Sequence, residues 1–93
     1  MNKIAIVEFP LETKEQAQKM AKNILEKELA IVVRVIDDVW QAWKEEKVDS
    51  AEVVILRCRV PLEKVDALYK YVKENHPWPV FCFDVIEVKA MSA

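Results

Sequence analysis

Cys58, His76 and Cys82 are the residues of this 93-residue chain best suited to hold a soft metal ion, with Met20 and Met91 as further candidates. Thiolate, imidazole and thioether donors together favour copper or zinc. Their spacing is not that of a preformed centre, since no CxxC or HxxxH pair occurs. Free cysteines on strands commonly behave as small buried hydrophobes. His76, between Asn75 and Pro77, also suits a helix C-terminus, where an imidazole meets the last carbonyls. His76 and Cys82 permit a thiolate–imidazole pair for nucleophilic catalysis only if the fold brings them within hydrogen-bond reach. The chain between them can extend over roughly 20 Å, so the spacing does not impose that contact. The expected protein is not an enzyme.

A second constellation joins Arg57 to Trp43 and Trp78 near His76, the makings of a cleft for a small anion or a divalent metal at a subunit boundary. Trp40 and Trp43 fall on opposite faces of a regular strand unless a bulge intervenes. Aromatics are enriched at interface cores, so a tryptophan on a hairpin is read as a subunit anchor or a cleft wall. Ordinary hairpin packing is the plainer alternative.

The elements that must position these residues follow from periodicity. Residues 3–9 form a β-branched run that Pro10 ends, a buried strand. Thr13 and Gln16 make a capping box, and Ala17, Met20, Ala21, Ile24 and Leu25 then recur at helical spacing. Residues 29–36 are extended, Asp37-Asp38 supply turn or bulge chemistry, and Val39 to Trp43 resume the strand. Lys44 to Lys47 form a polar hairpin tip without an Asn-Gly or Asp-Gly pair, and residues 51–59 return as a third strand. Pro61 suits a first helical position, and Leu62, Val65, Leu68, Tyr69 and Val72 keep helical spacing until Asn75. Residues 80–88 read as a fourth strand and 89–93 as a frayed end.

The order β-α-β-β-α-β predicts an α+β, ferredoxin-like domain over 1–93, with two helices on one face of an antiparallel four-stranded sheet in spatial order 4-1-3-2. In that order the first strand separates Cys58 from Cys82 by roughly 9–10 Å, too far for a disulfide. Helices on one face cannot cover both, yet the runs 30–36 and 80–88 carry bulky apolar residues at consecutive positions. Another copy of the chain is the expected cover, and a domain this small gains most from it.

Composition narrows the classes of function. The chain has no glycine, which excludes Walker A and dinucleotide phosphate loops. Fourteen basic against sixteen acidic residues give a net charge of −2 and no footprint for nucleic acid. The opening apolar run is too short for a signal peptide or a membrane span, so a cytoplasmic protein with reduced thiols and no membrane partner is expected.

Glu15-Gln16-Ala17 through Leu29-Ala30, the long hairpin, Ile55-Leu56-Arg57-Cys58 and above all His76-Pro77-Trp78 resemble the CutA divalent-cation-tolerance family, in order, over residues 4–88. The resemblance implies a ferredoxin-like protomer, a homotrimer packed through extended hairpins, and binding or tolerance of copper and other divalent metals. His76 and Pro77 match the family pattern, Trp78 stands for its tyrosine, and Arg57 stands for a strand lysine. The family cysteine falls at Val32, and its Val-Pro-Glu becomes Val80-Phe81-Cys82. Trp43 matches either of two hairpin aromatics. A PII-like or ACT-like module that binds a small metabolite between subunits is the alternative.

Overall fold

The structure, a computed structural model, describes residues 3–89. Its elements are β1 (Ile4–Leu11), α1 (Lys14–Glu26), β2 (Val32–Lys44), β3 (Lys47–Pro61), α2 (Val65–Asn75) and β4 (Asp84–Val88). The strands form one antiparallel sheet in the order β2-β3-β1-β4, the arrangement expected of a ferredoxin-like α+β fold.

Strand alternation divides the sheet into two faces. Ala5, Val7, Phe9 and Leu11 of β1 pair with Val60, Cys58, Leu56 and Val54 of β3, and all eight are buried. Against this face pack Ala17, Met20, Ala21 and Ile24 of α1 and Leu68 and Val72 of α2, completing the core. Leu25 and Tyr69, placed in the apolar stripes by their spacing, are exposed. Even-numbered residues of β1, together with Arg57 and Arg59 of β3, face away from the helices.

Local signals explain the boundaries. Thr13 and Gln16 realise the capping box: the Gln16 N–H donates to Thr13 Oγ1 (3.1 Å) and the Thr13 N–H to Gln16 Oε1 (3.3 Å). Helix α1 ends in a Schellman turn, with the Leu29 N–H donating to the Ile24 carbonyl (3.0 Å) and Glu28 left-handed at φ 58°. In a chain without glycine, this residue and both residues of the hairpin turn, Glu45 (φ 52°) and Glu46 (φ 64°), are glutamates in the left-handed region. Positive φ at both turn positions is the type I′ pattern, whose twist matches the flanking strands.

Four expectations are corrected. No bulge forms at Asp37-Asp38: β2 and β3 stay in unbroken register from Val32↔Arg59 to Lys44↔Lys47. Pro61 ends β3 rather than opening a helix, and a short 3₁₀ turn at Leu62–Lys64 precedes α2. Strand β1 runs through Pro10 instead of stopping there. It pairs with β4 only as far as Glu8, so the proline nitrogen faces an edge that β4 has vacated, and no ladder bond is lost. Finally, β4 begins at Asp84, because Pro77 and Pro79 interrupt the backbone and Phe81 and Phe83 turn inward to pack on His76 and Phe9.

The β2–β3 hairpin projects from the core. Residues 37–52 are exposed on both faces, and the molecule measures 46 × 26 × 20 Å. Strand β2 is also an edge of the sheet along its whole length.

Candidate functional site

His76 sits in an aromatic clamp rather than at a metal-ready surface. Its ring stacks on Phe81 (4.0 Å, 5°), meets Phe9 edge-on (6.3 Å) and tilts against Trp78 (5.2 Å). The Trp78 N–H donates to Nδ1 (3.0 Å), so the neutral ring carries its proton on Nε2, which donates to the Pro10 carbonyl (2.6 Å). Burial lowers the His76 pKa from its ordinary 6.5, against the pull of that carbonyl toward the charged form. The ring thus ties the end of α2 to the open edge of β1. It does not contact the last helix carbonyls, as a C-cap histidine would; the cap bond there is made by its backbone N–H to the Val72 carbonyl (2.8 Å).

The face of the sheet away from the helices carries the chemistry. In one row across the four strands, the register aligns Asp84, Glu8, Arg57 and Arg34. Glu8 pairs with Arg57 (3.3 Å). A cavity of about 220 Å³ opens on this face, lined in part by Glu8, Asp38, Trp40, Arg57, Cys82 and Asp84. Trp40 is fixed by its indole N–H, which donates to Asp38 Oδ2 (2.9 Å). A thiol, three carboxylates and one guanidinium therefore share one wall of the molecule.

Few of the residues singled out by sequence are brought together here. Arg57 and Cys82 share the cavity. Cys58 lies on the opposite face, fully buried, and burial pushes its thiol up to about 12, so it stays protonated in the core. His76 and Trp78 belong to the clamp and do not line the cavity. Trp43 sits near the hairpin tip, 74% exposed and on the other face from Trp40. It is nine positions along β2 from Arg34, the partner of Arg57, or about 30 Å at strand rise. Met20 is a core residue of α1, and Met91 lies outside the described residues. Both cysteines are free. Among the described residues no three histidine, cysteine, aspartate or glutamate side chains converge on one point that could hold an ion. No helix among them is long and apolar enough to cross a membrane.

Glu8, Asp38 and Asp84 escaped the sequence-based reading of the site, whereas Trp40, weighed there with Trp43 as an anchor or cleft wall, does line the cavity with Arg57. The signal for Glu8 and Arg57 was a charge set directly after an apolar stretch in each of two strands, Glu8 after Ile4–Val7 and Arg57 after Val53–Leu56. Two such charges on neighbouring strands are candidates to face each other once the register is known.

A family model described as CutA1 divalent ion tolerance protein matches residues 5–93. Solved structures of similar fold include the periplasmic divalent cation tolerance protein CutA of Archaeoglobus fulgidus, 24% identical over 94% of this chain and 85% of that one, with a TM-score of 0.84. CutA1 of Oryza sativa is 24% identical over 98% and 84%, with a TM-score of 0.88. CutA1 of Pyrococcus horikoshii is 22% identical over 95% and 86%, with a TM-score of 0.85. No curated protein sequence matches the chain.

Proposed function

The chain belongs to the CutA1 divalent ion tolerance family, and on that premise we propose that it handles divalent cations without catalysis, as a cytoplasmic homotrimer that binds a copper- or zinc-type ion at the boundary between copies. The observation that carries this reading is the cavity whose lining includes Cys82, the chain's one exposed thiol, together with Glu8 and Asp84. A thiolate with carboxylates is a donor set that zinc or copper accepts. One copy supplies too few converging ligands, so a second copy completes the coordination. His76 has both ring nitrogens engaged, which leaves Cys82 without an imidazole base and favours binding over nucleophilic chemistry.

Two further features support assembly. Strand β2 exposes a thirteen-residue edge that carries Val39, Trp40 and Trp43 at its surface, and a long edge with exposed apolar side chains is a template for pairing with another chain. Val85 and Ile86 of β4 are likewise 45% and 50% exposed. Closed symmetric association covers edges and faces together.

Zinc and copper titrations by equilibrium dialysis test the proposal. Cys82→Ser should weaken binding at least about tenfold, the scale of one strong ligand, while Cys58→Ser leaves it unchanged. Equal binding by the parent and Cys82→Ser refutes the site.

A further inference from the structure

The row of charges on the open face is polarised. Its β1–β4 half carries Glu8 and Asp84; its β2–β3 half carries Arg34 and Arg57 as direct cross-strand partners, with Arg59 two residues along the same face of β3. Like charges placed directly opposite on a sheet destabilise it. Glu8 answers Arg57 alone: among the described residues neither Arg34 nor Arg59 makes a salt bridge. These three arginines, with Ile6, Val32 and Cys58, line a second cavity of about 220 Å³.

We propose that Arg34, Arg57 and Arg59 form a binding site for a small polyvalent oxyanion, either a phosphate compound or a polycarboxylate. Each guanidinium presents a planar fork of N–H donors that matches carboxylate and phosphate oxygens two at a time. The strand register fixes where the three side chains leave the sheet, and the Glu8 pair holds Arg57 in place. Ile6 and Val32 flank the three arginines with apolar surface. The cavity is smaller than the roughly 300–1,000 Å³ of pockets that enclose drug-sized ligands, which selects a compact anion. The bound anion supplies a counter-charge that Arg34 and Arg59 do not find in a salt bridge among the described residues. This site adjoins the cation-binding wall and shares Arg57 with it, while Arg34 and Arg59 belong to this site alone.

Inorganic pyrophosphate and citrate are the probes, each compared with sodium chloride at matched ionic strength, with melting temperature and calorimetric titration as readouts on the purified full chain. Either anion should raise the melting temperature beyond the chloride control, and the stronger of the two identifies phosphate or carboxylate as the natural chemistry. Arg34→Gln and Arg59→Gln should each weaken binding about tenfold, the loss of one charge-assisted contact. Lys22→Gln on α1 removes the same charge elsewhere and should leave binding intact. Arg34 is exposed, so its replacement spares the core, and Arg34→Lys, which keeps the charge but not the fork, should fall between parent and Arg34→Gln. No rise beyond chloride, or a rise that survives in both glutamine variants, overturns the proposal.

Discussion

On the helix-covered face of the sheet, Val7, Phe9, Leu56, Cys58 and Val60 are sealed from solvent, while one residue away along the same strands Ile6, Glu8, Arg57 and Arg59 line a surface half open to water. The strands are shared, so the contrast comes from what covers each side. Two helices supply enough apolar surface for one face only. The covered face is filled with hydrocarbon and one protonated thiol; the open face holds a charged row, an exposed thiol and two cavities. The first accounts for stability and the second has the means to bind.

The largest test of that contrast is a pair of truncations. Phe9→Ala should cost about 3–5 kcal/mol, because it removes a fully buried ring and the stack with Phe83. Ile86→Ala on the open face costs little in an isolated chain. In an assembly that buries it the cost grows and depends on protein concentration, since association adds to stability by mass action. Denaturant unfolding at two concentrations separates these outcomes.

His76 joins the two regions through the Pro10 carbonyl, and its loss is the next largest effect. His76→Ala leaves that carbonyl unpaired and unstacks Phe81, for about 1–3 kcal/mol. The pH dependence has a definite sign. With the folded pKa below 6.5, the unfolded chain takes up the proton more readily. The contribution of the clamp is therefore complete above 6.5 and is lost as pH falls through the lowered native value. Melting temperatures across that range should drop on the acid side for the parent, and His76→Ala should remove this component.

Smaller effects come from the hairpin that carries the exposed edge. Glu45→Asn with Glu46→Gly relieves two left-handed positions and should stabilise by about 1 kcal/mol, measured by thermal unfolding. Lys14→Ala removes the exposed Lys14–Asp37 pair (3.1 Å) at the hairpin base and should change stability by no more than about 0.5 kcal/mol.

Much of the covered face was legible in the sequence because its signals are local and periodic. Apolar alternation in β1, the Thr13–Gln16 capping box and the stripes of both helices each specify their element and its buried side. The strand order and the opposite facing of Trp40 and Trp43 followed as well. The candidate site was less legible because it depends on register between distant segments. Glu8 meets Arg57 across β1 and β3, forty-nine positions apart, and Asp84 joins them from β4. Pro10 marked the end of a strand in sequence, and only the vacated edge beside it explains its place inside β1. The fourth strand was drawn too long because Phe81 and Phe83 read as strand residues, whereas they serve the clamp around His76 and Phe9.

Under the proposed function, copies of the chain complete the open face and hold the ion there. Light-scattering mass after size exclusion, with elemental analysis of the same peak, tests it most directly. A particle of three chain masses that carries copper or zinc, with the metal lost in Cys82→Ser, is the expected result. A metal-free monomer that stays monomeric at high concentration would contradict it.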